Sequence, residues 1–284
     1  MKEQTSVERG QEKLETIKKL RVITAAPISD CKKALEDTNY DLEAARQLIK
    51  ERGLIVGVLR GAKDTSQGVV TATTTSETPN NTESHYGTIT CLSCESDSVA
   101  KLDDFIAMAT EIALYTVEND NLMLETLQKE FESKISELMS TVKESVKLSY
   151  YSHLDGDHIS IYNHQTNKLS VLVKFNKEVD AQVGKNIAMQ VAGMKPLFVD
   201  YDDIPQSVLI AEKESALKKT KEVNQGKDDN LIERIAEGRI KKSKDAMTLM
   251  NQPYTQGEKQ TVRQYLESVD KDLKVLAFRS FEIG

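Results

Sequence analysis

The sequence predicts an α+β protein made of an N-terminal three-helix bundle, a duplicated hairpin-plus-helix core and an inserted antiparallel helical hairpin of coiled-coil type. Three observations carry the prediction. Residues 1–61 read as three short helices. Two β-branched, alternating hairpins are each followed by an apolar helix, and Ile106-Ala107-Met108 in the first helix echoes Ile187-Ala188-Met189 in the second. Two charged helical stretches then flank the polar turn Val223-Asn224-Gln225-Gly226-Lys227-Asp228.

In the bundle, Leu14, Ile17, Leu20 and Arg21 fall at helical spacing. A second helix begins near Asp30-Cys31-Lys32-Lys33, with Ser29 or Asp30 as its N-cap. The third runs over Asp41 to Ile49, capped by Asn39 and stopped by Gly53. A bundle this small has a small core, which leaves a face free to dock.

From Gly68 the pattern turns to period two. Gly68 to Thr74 and Tyr86 to Leu92 form a hairpin whose polar tip spans Glu77 to Ser84. The helix that follows places Leu102, Phe105, Ala109, Ile112 and Ala113 on one side. Helical sequence is expected to continue from Leu122 to Ser149. A second hairpin, His158 to Tyr162 and Lys168 to Phe175, precedes a helix over Val183 to Met194. The inserted hairpin pairs Ser207 to Lys221 with Asn230 to Lys244, with stripes of Val208, Ala211 and Leu217 against Leu231, Ile235 and Ile240. A short helix over Val262 to Leu266 and a strand over Leu276 to Ile283 close the chain. The domain boundaries expected are 1–61 for the bundle, 62–150 for the first core half, 151–202 with 248–284 for the second, and 203–247 for the helical hairpin.

Composition narrows the function. With 284 residues, 39% hydrophobic and 29% charged, the chain has length for a substantial core and more than one domain. A net charge of −7 provides no basic footprint for nucleic acid, so a protein partner fits better. Three cysteines and a charged start, MKEQTSVERGQEKLE, point to a reducing compartment, the cytoplasm by default. No apolar run reaches membrane-spanning length, so no membrane association is expected.

Covalent chemistry has no foothold in the motifs. Gly57 to Lys63 lacks the spacing of a phosphate-binding loop. His153, His158 and His164 have no carboxylate or thiol partners at metal-ligand spacing. No catalytic residue, metal or cofactor is therefore expected. Cys91-Leu92-Ser93-Cys94 has the spacing of a redox or zinc pair, which makes a thiol or metal protein the rival from another class. On a strand, however, a separation of three puts the two thiols on opposite faces, about 10 Å apart. Buried small apolar residues are the better reading. Ser96-Asp97-Ser98-Val99 is then a polar turn between strand and helix, with Ser96 or Asp97 as the cap.

Six stretches in order resemble the translation elongation factor Ts family, the nucleotide-exchange factors for elongation factor Tu. Leu20-Arg21-Val22-Ile23-Thr24-Ala25-Ala26-Pro27-Ile28-Ser29-Asp30-Cys31-Lys32-Lys33-Ala34-Leu35 is similar to the family's Leu-Arg-x-x-Thr-Gly-x-Gly-x-x-Asp-Cys-Lys-Lys-Ala-Leu. Ser93-Cys94-Glu95-Ser96-Asp97-Ser98-Val99-Ala100 is similar to Asn-Cys-Glu-Thr-Asp-Phe-Val-Ala. Ile187-Ala188-Met189-Gln190-Val191-Ala192 with Lys195-Pro196, then Glu237 to Lys242, Gln252-Pro253-Tyr254 and Phe281-Glu282-Ile283-Gly284 follow in the family's order.

The resemblance implies a ubiquitin-associated-like bundle that docks on the GTPase domain of elongation factor Tu through Arg21, Ile28, Ser29 and Cys31. It implies that the turn Ser96, Asp97, Ser98 and Val99 presses beside the Mg²⁺ and phosphate site, and that Asn186, Met189 and Gln190 hold another domain of the partner. The helical hairpin is a candidate surface for a homodimer. Three departures stand out: Ser98 where the family has Phe, Ala25 and Pro27 where it has Gly, and Asn186 and Gln190 where it has His. The first of these raises a second expectation within the family, a homologue that binds but exchanges weakly. Direct binding to ubiquitin would instead mark the bundle as an adaptor.

Overall fold

The computed structural model describes residues 13, 16–20, 28–49, 65–75, 86–119, 122–224, 228–257 and 259–284, with only the backbone for 28–30. Arg21, Leu14, Gly53, the hairpin tip Glu77 to Ser84 and the turn residues Gln225 to Lys227 lie outside them.

The bundle comprises α1 (residues 16–20), α2 (Ile28–Asp37) and α3 (residues 42–49). Ile17, Leu20, Cys31, Ala34, Leu35, Ala45 and Ile49 form its core. Two caps differ from expectation. Helix α2 already starts at Ile28, so Ser29 and Asp30 stand within its first turn. Asp41 caps α3, its Oδ1 accepting from Glu43 N at 3.0 Å and Ala44 N at 2.9 Å. Asn39 and Tyr40 turn the chain with φ of 52° and 65°, and asparagine tolerates that left-handed region through local hydrogen bonding.

Two three-stranded sheets repeat one topology. In order β1-β2-β3, strands β1 (Gln67–Thr74) and β2 (Tyr86–Cys94) are joined by β3 (Val146–Asp155). In order β4-β5-β6, strands β4 (Ile159–Asn163) and β5 (Leu169–Phe175) are joined by β6 (Val275–Glu282). In each case two consecutive strands are followed by helices, and the chain returns to lay a third strand beside the second. Each middle strand is therefore covered: β2 is buried at every position and β5 at all but Lys174. The second sheet is antiparallel throughout, with Ile161 opposite Leu172 and Leu172 opposite Arg279.

The chain divides into two compact units, the described parts of Met1–Thr71, Thr90–Tyr151 and Ile283–Gly284 on one side and Ala72–Ile89 with Ser152–Glu282 on the other. The sequence boundary instead places Ala72–Ile89 in the first core half. Within the second unit, Asn163 bonds to Ala72, and Gly87 lies so close to Ile159 and Leu172 that a Cβ there would sit 3.1 Å from each.

In the first unit a short α4 (Asp97–Ala100) leads into α5 (Asp103–Glu118) and α6 (Leu124–Val142). Phe105, Ala109 and Ile112 of α5 meet Leu127, Phe131, Ile135 and Leu138 of α6 over β2 and β3 residues Leu92, Val146 and Leu148. Burial of Phe105, which is fully covered, contributes about 1.5–3 kcal/mol. Leu102 caps α5 from outside and is 45% exposed, so it does not join that stripe. The helical run also ends earlier than the expected Ser149. Lys143 adopts a left-handed φ of 62°, its N–H closes on the Met139 carbonyl at 2.9 Å, and the next residues enter β3.

In the second unit, α7 (Ala181–Met194) and α10 (Val262–Val269) pack on the second sheet through Ile187, Val191, Val262 and Leu266. Helices α8 (Gln206–Val223) and α9 (Asp229–Met247) form the expected hairpin. Its seam differs from the expected stripes: Ala216, Thr220, Ile232 and Ala236 are buried, whereas Ala211 and Leu231 are exposed. Ala216 and Ala236 permit close helix approach, and Ile232 is the one large apolar side chain buried among them.

Candidate partner-binding site

Strand β2 ends at Cys94 and hands the chain to a turn held by two reciprocal carboxylate contacts. Ser96, extended at φ −123° and ψ 151°, is the N-cap of α4, and its Oγ accepts from Val99 N at 3.3 Å. The same hydroxyl donates to Glu144 Oε1 at 2.6 Å, and Ser96 N donates to Glu144 Oε2 at 2.9 Å. In return, Ser145 N donates to Glu95 Oε1 at 2.8 Å. Val99 and Ala100 are buried below, in the core of the first unit. Asp97 and Ser98 are left facing outward: Ser98 is exposed, and Asp97 is half-buried with an ion pair to Lys101 at 2.5 Å. The arrangement offers a carboxylate and a hydroxyl on a rigid base.

The thiols beside it are covered. Cys31, Cys91 and Cys94 are all buried, and none of them forms a disulfide. Burial pushes the Cys91 thiol up to about 11 against a hydrogen bond from Ser149. Burial, then the charge of Glu144, pushes Cys94 up to about 12, and its Sγ donates to the Ser96 carbonyl at 3.2 Å. A reactive thiol needs access and a lowered pKa, and these two have neither. Among the described residues no group of three His, Cys, Asp or Glu could hold a metal ion.

Of the expected docking residues in the bundle, Cys31 is fully buried. Ile28 and Ser29 open α2, and Arg21 lies outside the described residues. Helix α7 carries the other expected set. Asn186 and Met189 line an open groove of about 750 Å³ together with Tyr162, Gln182, Lys185 and Gln256. Gln190, by contrast, is fully buried. Its Nε2 donates to Gln252 Oε1 at 3.2 Å and to the Pro253 carbonyl at 3.1 Å, and its Oε1 accepts from Thr255 N and Oγ1 at 3.0 and 2.8 Å. It ties α7 to the loop below. Asn186 Oδ1 accepts from Gln182 at 2.7 Å, and its Nδ2 reaches Tyr265 Oη at 3.5 Å, where Tyr265 stacks on Tyr254 at 4.0 Å.

Sequence reading missed Glu144 and the groove residues Gln182 and Lys185. Glu144 is 48 residues from Ser96 with no local signal linking them. The helical spacing of Gln182 and Lys185 with Asn186 and Met189 puts all four on one stretch of α7, and that spacing was the available clue.

The family model described as Elongation factor TS matches residues 95–284, from the turn to the last residue. With the duplicated α+β core and helical hairpin, that match places the chain among the translation elongation factors, proteins of protein biosynthesis. Elongation factor Ts of Christiangramia forsetii is 33% identical over 274 residues, covering 94% of this chain and 97% of that protein. Elongation factor Ts of Amoebophilus asiaticus is 33% identical with the same coverages, and that of Hydrogenobaculum sp. is 31% identical over 95% of this chain and 98% of its own. This chain belongs to the elongation factor Ts family. No helix among the described residues is long and apolar enough to cross a membrane.

Proposed function

We propose that this chain binds elongation factor Tu in the cytoplasm and promotes GDP release from it by contact alone, without covalent chemistry. Family membership supports the reading, and the single observation that carries it is the braced turn that turns Asp97 and Ser98 outward. In this reading the turn presses beside the partner's Mg²⁺ and phosphate site. A cation there offsets the phosphate charge, so disturbing its contacts weakens GDP. Linkage completes the logic: a factor that binds the nucleotide-free GTPase more tightly than the GDP form must weaken GDP by the same factor.

The bundle docks through the surface around Arg21, Ile28 and Ser29, and α7 grips a second domain through Asn186 and Met189. Cys31, Val99 and Gln190 are buried, so they serve by holding the backbone and neighbours of each surface.

The test is release of a fluorescent GDP analogue from elongation factor Tu at fixed Mg²⁺, with catalytic amounts of this protein. Acceleration is expected; no complex with a cognate partner overturns the reading. A second reading, a homologue that binds but exchanges weakly, is favoured by Ser98, an exposed hydroxymethyl where relatives in the resemblance carry an aromatic ring. Stable complex formation without acceleration, together with a gain of exchange in Ser98→Phe, would select it.

A further inference from the structure

Between the end of β2 and the start of β3, two glutamates cross. Glu144 follows the left-handed residue that ends α6 and spends both carboxylate oxygens on Ser96, one on the hydroxyl and one on the backbone N–H. Glu95, on the turn itself, reaches back to the N–H of Ser145, the residue after Glu144. Each carboxylate therefore fastens the segment that carries the other. Ionised acceptors make the stronger class of hydrogen bond, and two bonds from one carboxylate fix direction as well as distance.

Consequences follow for Asp97 and Ser98. The Ser96 hydroxyl has one proton, and with it committed to Glu144 its lone pair is oriented to accept from Val99 N, which starts α4. Removing Glu144 frees the hydroxyl to rotate, releases Ser96 N–H and loosens the N-terminal end of the same short helix. Helix α4 is only four residues long and cannot stabilise itself.

The geometry points to Glu144 as a positioning residue for exchange, a side chain that never meets the partner and sets the pose in which Asp97 and Ser98 are presented. The inference rests on the exchange reading above. Its positional demand is steep, because a displacement of about 1 Å at an acting group can cost about 100-fold in rate.

Glu144→Ala, Glu144→Gln and Ser96→Ala are compared with the full-length wild type in GDP-analogue release, with factor concentration varied. Urea denaturation of each variant establishes the folded fraction, to which rates are normalised. Expected for Glu144→Ala is a maximal release rate lower by about tenfold or more, with the half-saturating factor concentration within about threefold of wild type. Glu144→Gln, which keeps the length and one acceptor oxygen, should recover part of that loss. Combining Glu144→Ala with Ser96→Ala should cost less than the product of the single effects, because both cut one contact.

Amide hydrogen exchange of the segment 95–101 is read alongside, and should be faster in Glu144→Ala. A normalised maximal rate equal to wild type overturns the inference, and so does a loss confined to half-saturation. If wild type itself does not accelerate release, the exchange reading fails on its own. Hydrogen exchange then decides the bracing: faster exchange in Glu144→Ala supports it, and unchanged exchange overturns it.

Discussion

The side-chain amide of Asn163 pairs with both backbone groups of Ala72, its Oδ1 accepting from Ala72 N at 2.7 Å and its Nδ2 donating to the Ala72 carbonyl at 2.9 Å. Asn163 Oδ1 also accepts from Ser170 Oγ at 2.6 Å. A side chain here takes the part of a neighbouring strand, supplying one donor and one acceptor to a single residue of β1. Asn163→Ala should lower stability by about 1 kcal/mol, the low end for lost hydrogen bonds because Asn163 is exposed enough for water to replace part of them. Urea unfolding reads this, and an unchanged midpoint would show the pairing to be without weight.

Gln190 makes the opposite prediction in size. It is fully buried and meets four partners in Gln252, Pro253 and Thr255. Gln190→Ala strands the side-chain Oε1 of Gln252, which is itself fully buried, so a loss of about 2–3 kcal/mol is expected. A midpoint shift smaller than that of Asn163→Ala would contradict it.

Asp97 lies on the outward side of the turn, and its bond to Lys101 is a surface ion pair, which contributes about 0–1 kcal/mol. Asp97→Ala should therefore leave the unfolding midpoint nearly unchanged while slowing GDP release from elongation factor Tu. Equal release rates would remove Asp97 from the mechanism, whatever the fate of the other contacts.

Asp200 links stability to acid. Burial alone would raise its pKa, but hydrogen bonds from Arg263, Asn251 and Tyr201 N outweigh it and hold the carboxyl below its ordinary 3.8. The folded state thus binds this proton less readily than the unfolded chain. Its contribution is present above the unfolded pKa and is lost as pH falls through the folded one. Between about pH 5 and about pH 3 the urea midpoint of wild type should fall more than that of Asp200→Asn. Parallel curves would refute the linkage.

Much of the fold was legible because it rests on local periodicity. Alternation marked β1, β2, β4 and β5, and spacing of three and four marked α5 and α7. Strand β3 was not legible. It follows α6 after three residues, and the stop is a lysine in the left-handed region, where a glycine would have signalled it. The helical hairpin was legible as two helices, but its seam was not, since Ala216 and Ala236 weigh little on a hydropathy pattern and count for much in how closely helices approach.

Residue identity alone determined the α+β class, the repeated hairpin and helix, the absence of a phosphate-binding loop and the resemblance that led to the family. Each is encoded in neighbours along the chain or in an ordered set of motifs. Tertiary structure decided which of the expected site residues face outward. Asp97 and Ser98 sit on the surface while Val99, Cys31 and Gln190 are buried, and Glu144 reaches across 48 residues to brace the turn. Those facts depend on which strand lies beside which, and a carboxylate that meets a backbone N–H so far away in sequence leaves no periodic trace to read.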